Sequence, residues 1–405
     1  MYPEIRMGVI GLGRAAAAML PSLDAHPGIK LVAAADPFPA ACARFRQDFD
    51  GNTYDSAAEM CEADGIDAVY IATPHQRHVE DALTAASFGK HMIVEKPMAL
   101  RLEDCRRMVE AAASAGVIIL VGHTHGFDPG IRKMREIIET GEFGALKMIT
   151  NIAYTDFLYR PRRPEELDSK LGGGIMYNQV PHQIEMARVL TRAPIRSVRA
   201  LTGIWDRARP TEGAMSALIF FESDVAASLV YCGYDHFDSD EFHGWIGPGG
   251  RQKTPAHGAA RRALMAAGSA REDQMKANSG FASRGRQSLS APPLRQPHFG
   301  VLIASCERAD LRVSPDGILV YDDGGAREIV LPPGRAYPNR DFVADDFYDA
   351  VVSGRQPLQD GRWGMETVAA MLALVRSATE HREIVLGEPG ALSNDLDAKN
   401  TRGQR

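Results

Sequence analysis

Short apolar runs without interior polar positions punctuate the first 125 residues: Met7 to Ile10, Leu31 to Ala35, Ala68 to Ala72, His91 to Val94 and Val117 to Val121. Such runs predict strands buried on both faces. Helix-compatible stretches, Ala15 to Ala25 and Val79 to Phe88 among them, lie between the strands. The alternation predicts an α/β domain, a doubly wound parallel sheet with helices on both sides. After Gly126 the texture changes. A helical pattern from Pro129 to Thr140 stops at Gly141, a residue suited to a left-handed C-cap. Alternating runs follow at Lys147–Tyr154, Ser197–Gly203, Met215–Glu222 and Ala226–Gly233, with late helices at Asp341–Ser353 and Gly364–Thr379. That order predicts an α+β domain with a large, mostly antiparallel open sheet.

A chain of 405 residues exceeds what one core holds, about 250 to 300 residues, so two domains are expected. The reading places the first at 1–125 and the second at 126–386, followed by a polar, disordered tail at 387–405. An open sheet face in the second domain needs covering, which predicts a homodimer or homotetramer. The net charge of −6 gives no electrostatic reason to expect a nucleic-acid partner. No apolar stretch reaches the ~20 residues of a membrane span, and no signal-peptide pattern opens the chain, so a cytoplasmic protein is expected. The five cysteines lie at least 19 residues apart, which suits neither a disulfide framework nor a zinc cluster.

Charge is unevenly spread. Between Arg251 and Arg295 nine Lys/Arg face two Asp/Glu, a local +7 in a chain whose remainder carries −13. This basic insertion, about 245–297, reads as a solvated surface loop or as a lid or intersubunit arm that attracts an anion.

The chemistry begins at Gly8-Val9-Ile10-Gly11-Leu12-Gly13-Arg14-Ala15-Ala16, where a strand turns into a helix. Gly11 permits the tight turn, Gly13 admits a pyrophosphate, and Ala16 allows close helix–strand packing. The amides that open the helix at Arg14 and Ala15 hold the phosphate charge. Asp36 ends the second strand 23 residues after Gly13, where an acid accepts from ribose hydroxyls. A carboxylate there repels a 2′-phosphate, so NAD is favoured over NADP. Thr73-Pro74-His75 with His78, and Glu95-Lys96-Pro97, follow the fourth and fifth strands of the reading. Loops at carboxyl strand ends line the ligand crevice, which aims Lys96 at a nicotinamide. His75 and His78 either touch the cofactor or begin the following helix. Further along, Gly172-Gly173-Gly174 leads to Asn178, Pro181, His182 and Glu185. If helical, Asn178 and His182 share a face, with Pro181 a kink unless it falls in a first turn. His123 and His125 lack a third ligand, so no metal site is expected.

Together these strings resemble the Gfo/Idh/MocA family of NAD(P)-dependent oxidoreductases. They are Gly-Leu-Gly-Arg-Ala-Ala, Ala-Thr-Pro-x-x-x-His, Glu-Lys-Pro, Gly-Glu-Phe-Gly at 141–144, and the triple glycine with a downstream His. The likeness runs from about residue 5 to 386, with the basic insertion its least matched part. It implies a Rossmann domain, Lys96 as the active-site lysine, and His182 as the residue handling the substrate proton. The family usually has aspartate where this chain has Asn178. The neutral amide puts a lysine–aspartate–histidine mechanism in doubt and removes a repulsion against anionic substrates.

Within the family the chain is most similar to phthalate 4,5-cis-dihydrodiol dehydrogenases, through Tyr159-Arg160-Pro161-Arg162-Arg163-Pro164, Tyr177 to His182 and the insertion. That likeness implies oxidation of an aromatic dicarboxylate dihydrodiol to the catechol, with hydride passing to NAD. Lys96 and His182 would orient and deprotonate one hydroxyl, and Asn178 would bond the diol or the His182 ring. Arg160, Arg162 and Arg163 would grip carboxylates, with Tyr337 and Arg340 as weaker candidates. The alternatives are a sugar, inositol or other polyol dehydrogenase of the same family, and a non-catalytic NAD-binding sensor.

Overall fold

The computed structural model describes residues 3–277, 280–284, 295–332 and 338–387. The expected disordered tail therefore lies, apart from Gly387, outside the described residues, as does Tyr337. The first sheet contains β1 (Ile5–Ile10), β2 (Ile29–Ala35), β3 (Asn52–Tyr54), β4 (Ala68–Ile71), β5 (His91–Val94) and β6 (Ile119–Val121). All its pairings are parallel, in the order β3-β2-β1-β4-β5-β6. This doubly wound order reverses between β1 and β4, where a crevice opens beyond the carboxyl ends of the strands. Helices α1 (Arg14–Ala25), α2 (Pro39–Phe49), α3 (Ala57–Glu62), α4 (His78–Ser87) and α5 (Leu102–Ala115) connect them. Local chemistry sets their ends. Glu103 and Asp104 sit in the first turn of α5, where acids suit the helix dipole, and Gly116 closes it in the left-handed conformation.

The linking helix α6 (Pro129–Thr140) has proline in its first turn and Gly141 as its left-handed cap, as its sequence predicts. Among the described residues the second sheet has nine strands: β7 (Leu146–Tyr154), β8 (Ile195–Gly203), β9 (Ala214–Phe221), β10 (Ala226–Cys232), β11 (Val301–Cys306), β12 (Ala309–Val313), β13 (Gly317–Asp322), β14 (Gly325–Val330) and β15 (Ile384–Val385). Their order is β14-β13-β12-β11-β7-β10-β9-β8-β15, antiparallel throughout except for the β7–β10 pair. The meander β11–β14 carries no expectation from the sequence, because its strands are short and β14 is exposed almost throughout. Helices α7 (Gly174–Asn178), α8 (Val180–Thr191) and, late in the chain, α13 (Gly361–Glu380) belong to this half, and α8 and α13 pack on the sheet. Alternate residues Ile149, Ala153, Ala227, Leu229 and Tyr231 are buried, whereas Met148, Leu201 and Leu218 are left exposed.

The insertion folds into α9 (Ala259–Ala267), α10 (Ser269–Ala277) and α11 (Phe281–Arg284). A four-residue helix has no stability of its own. Burying Phe281, which is 1% exposed and stacks on Phe49, contributes about 1.5–3 kcal/mol and holds α11 against α1 and α2. The Phe281 amide donates to the carbonyl of Leu12, inside the glycine-rich turn, at 3.4 Å. The described part of the insertion is thus docked rather than standing free in solvent. Helix α11 lies on the first sheet's helices, while Arg261 of α9 bonds Asp235, and Glu272 and Lys276 of α10 bond Arg162, Arg209 and Glu166 in the second half. Helix α12 (Pro338–Ser353) also returns to the first half, where Val343, Ala344 and Phe347 join its core. Among the described residues no helix is long and apolar enough to cross a membrane.

Candidate active site

Gly11 has φ of +90°, and a Cβ there would lie 2.9 Å from the backbone of Ala72 and Thr73. Only glycine lets the ends of β1 and β4 meet so closely. Gly13 differs: a Cβ there would meet no protein atom within 4 Å, so the space above it is open. No side chain caps α1, which leaves its first amides for a ligand, and Ala16 is fully buried beneath them. Uncapped amides under open space fit a pyrophosphate. Asp36 accepts from the Leu12 amide at 2.6 Å and the Phe38 amide at 2.8 Å. Two backbone donors lock the carboxylate, and each oxygen retains a lone pair for a ribose hydroxyl.

The loops after β4 and β5 form the other wall. The Thr73 hydroxyl donates to Asp81 at 2.7 Å. His78 is fully buried, with its ring nitrogens 3.0 and 2.9 Å from the carbonyls of Pro97 and Thr73. It braces the two loops together, so the expectation that His78 touches the cofactor is corrected. His75 packs instead against the triple glycine, where a Cβ on Gly172 would come 3.1 Å from its Nδ1. Glu95 accepts from the Tyr70 hydroxyl at 2.6 Å. Lys96 Nζ donates to the backbone carbonyl of Asn178 at 2.7 Å, across 82 positions of sequence. Burial pushes the Lys96 pKa down to about 8, opposed by Glu95 and helped by the charges of Arg162, Arg14 and Arg160.

Asn178 and His182 do not share one helix, which corrects the expectation of a common face. The chain breaks at Gln179 (φ −121°, ψ −44°), and Pro181 falls in the first turn of α8, where it costs no hydrogen bond. The Asn178 amide donates to the carbonyls of Gly172 (3.0 Å) and Gly174 (2.8 Å). A carboxylate has no proton for either carbonyl, which is a physical reason for asparagine here. The structure shows no bond between Asn178 and the His182 ring, which corrects that expectation; both Asn178 N–H donors are committed to the glycine loop, and only its Oδ1 could serve a diol. His182 is 7% exposed and its Nδ1 has no hydrogen-bond partner. Its ring meets His125 edge-on at 4.8 Å and Phe299 at 5.0 Å. Burial first, and then the charges of Lys96, His125 and His123, hold its pKa well below the usual imidazole value.

The three arginines separate. Arg160 is held through Nε by Asp156 at 2.7 Å. Arg162 is buried, stacks 3.8 Å over Phe157 and donates to that residue's carbonyl. Burial first, and then the charges of Arg160 and Arg14, bring its pKa down to about 10, still charged at neutral pH. Arg163 is exposed and paired with Glu165 and Glu166 of the following turn, so its place among the carboxylate-gripping residues is corrected. Arg340 lies close enough to act on the charge of His182.

The sequence reading weighed His125 only as a metal ligand and overlooked Asp128. His125 Nδ1 lies 2.7 Å from Asp128 Oδ2, and Asn339 donates to Asp128 Oδ1 at 2.8 Å. Thr124–Phe127 follows β6, so the same strand-end rule that found Lys96 could have found it. Among the described residues no group of three or more His, Cys, Asp or Glu side chains is placed to hold a metal ion.

Comparison with known proteins agrees with this geometry. A family model described as an oxidoreductase family with an NAD-binding Rossmann fold matches residues 5–123, and a Gfo/Idh/MocA C-terminal domain matches 131–244. The chain belongs to the Gfo/Idh/MocA oxidoreductase family. Over 380 residues it is 38% identical to 1-carboxy-3-chloro-3,4-dihydroxycyclohexa-1,5-diene dehydrogenase of Comamonas testosteroni, covering 92% of this chain and 94% of that one. It is 33% identical to scyllo-inositol 2-dehydrogenase of Bacillus subtilis, over 49% of this chain and 57% of that one. A crystal structure from Bordetella bronchiseptica RB50, assigned as a dehydrogenase, superposes with a TM-score of 0.88 at 43% identity, covering 94% and 99% of the two chains. This Gfo/Idh/MocA member is an NAD-dependent oxidoreductase, and NAD is its cofactor.

Proposed function

We propose that this enzyme oxidises a carboxylated cyclohexadiene cis-diol to the corresponding catechol. One observation carries the reading: Arg14, Arg160 and Arg162 act on Lys96, while position 178 holds a neutral amide committed to the glycine loop. The resulting excess of positive charge favours an anionic substrate. Bound NAD supplies the hydride acceptor. Lys96 steadies the reacting oxygen as its negative charge grows, because an ammonium in a half-buried site is a strong donor. Arg160 presents its guanidinium to a ring carboxylate, and Arg162 adds charge behind it. Rearomatisation supplies driving force.

Phthalate 4,5-cis-dihydrodiol, an aromatic dicarboxylate dihydrodiol, is the substrate to try first. A monocarboxylated ring, as in the name of the Comamonas relative, is the second. The likeness to scyllo-inositol 2-dehydrogenase favours a polyol instead. NADH formation with phthalate dihydrodiol, a monocarboxylated dihydrodiol, an uncarboxylated dihydrodiol and scyllo-inositol separates these readings. The expected result is a kcat/KM for a carboxylated diol about 30- to 100-fold above the uncarboxylated one, the worth of one charge-assisted contact. Preference for scyllo-inositol would overturn the proposal. A homodimer or homotetramer packed through Met148, Leu201 and Leu218 completes this reading, and the mass in solution tests it.

A further inference from the structure

We propose that His125, held by Asp128, receives the hydroxyl proton of the substrate. The inference takes the identity of that substrate from the reading above and its own support from the histidine cluster. His125 stands in the turn after β6, beside the loop that carries Lys96. The two loops leave paired strands, and the Gly122 amide donates to the Val94 carbonyl at 2.8 Å.

The carboxylate of Asp128 is 1% exposed and takes one donor on each oxygen, His125 Nδ1 at 2.7 Å and Asn339 Nδ2 at 2.8 Å. A carboxylate only accepts, so the proton of the neutral imidazole sits on Nδ1 and the lone pair on Nε2. The ring is wedged between His182 at 4.8 Å and Phe299 at 4.7 Å, with 13% of its side chain still exposed. Orientation by a buried carboxylate is what a base needs, since Asp128 also stabilises the imidazolium formed on proton uptake.

Its neighbours lack that partner. His182 Nδ1 is unpaired, and so are both nitrogens of the fully buried His123. Charges bearing on the cluster come from several elements. They include His182, Glu185 and Arg188 of α8, Lys96 after β5, His298 before β11 and Arg340 of α12. Asp128 is the carboxylate hydrogen-bonded to the His125 ring.

In the step, the substrate O–H bond breaks and its proton passes to His125 Nε2. The C–H electron pair would leave with its hydrogen as hydride to bound NAD, the two-electron acceptor, as the C=O bond forms. The ring ketone then enolises to the catechol. His182 lines the site without taking the proton.

The test compares His125→Asn, Asp128→Asn and His182→Asn with the wild type. In His125→Asn, kcat should fall by about 10² to 10⁴-fold and the rise of kcat with pH should vanish. Asp128→Asn should move that rise, and His182→Asn should keep it at reduced kcat. NADH fluorescence and thermal melts confirm that each variant folds and binds cofactor; His125→Gln replaces any asparagine variant that does not. Loss of the pH-dependent rise in His182→Asn but not in the His125 variants would overturn the proposal. Nitrogen-15 NMR of the wild type judges it without any substrate: His125 protonated on Nε2 in the neutral ring would overturn it. If no carboxylated dihydrodiol is oxidised, the substrate reading fails, and the pH profile is taken on whichever diol is.

Discussion

The two walls of the crevice are built on different principles. The cofactor wall is local: Gly11, Gly13, the start of α1 and Asp36 lie within 26 consecutive residues, and their bonds are to each other's backbone. The proposed substrate wall is assembled at long range. Lys96 reaches Asn178, Asn339 reaches Asp128 across 211 positions, and His182 meets Phe299. Substitutions on the first wall act through sterics that can be read from one turn. Those on the second act through whichever partner is left behind.

The largest expected effect is at Lys96. Lys96→Met should lower kcat by about 10³-fold with NAD binding largely intact, since it removes the donor to the reacting oxygen together with the bond to the Asn178 carbonyl. Full activity in this variant would remove the substrate wall from the mechanism. The same variant tests the charge cost. A lysine with a folded pKa near 8 and an unfolded value near 10.5 is charged in both states at pH 7, and only the folded state suffers the burial. Between pH 8 and 10.5 the unfolded chain binds more protons, so wild-type stability from this group rises with pH. Lys96→Met should therefore melt at or above the wild type at pH 7, with the gap closing toward pH 10.

The glycines come next. Gly11→Ala forces a side chain at φ +90° against the Ala72 backbone, and should cost about 1–3 kcal/mol in denaturant unfolding. A Cβ at Gly13 meets no protein atom within 4 Å, so Gly13→Val should fold normally and weaken NAD binding instead. Equal melting of the two variants would break the distinction between a turn glycine and a ligand glycine.

Asn178→Asp sets two carbonyls against a carboxylate and should destabilise the triple-glycine loop by about 1–3 kcal/mol. It should also raise KM for a carboxylated substrate more than for an uncarboxylated one. The smallest effect is at Arg163. Exposed and paired with its own turn, it should change kcat/KM by less than about twofold when replaced by Ala, because exposed ion pairs contribute little. Arg160→Met, by contrast, should raise KM for the carboxylated diol by about 10- to 100-fold.

Sequence alone determined the doubly wound sheet, the second mostly antiparallel sheet, the glycine-rich turn and Asp36. Each rests on periodicity, strand-end position or the steric need of one residue, which neighbours along the chain dictate. Lys96 was legible for the same reason, as a strand-end residue. Only the tertiary structure decided that His78 is a brace, that Arg163 pairs with Glu165 and Glu166 and that Asn178 is committed to the glycine loop. It also decided that Phe281 docks the insertion beneath the glycine-rich turn, and that His125 has a buried carboxylate while His182 has none. Those outcomes depend on which distant groups reach a given donor or lone pair. Residue type and spacing do not encode that; the packing of two sheets around one crevice does.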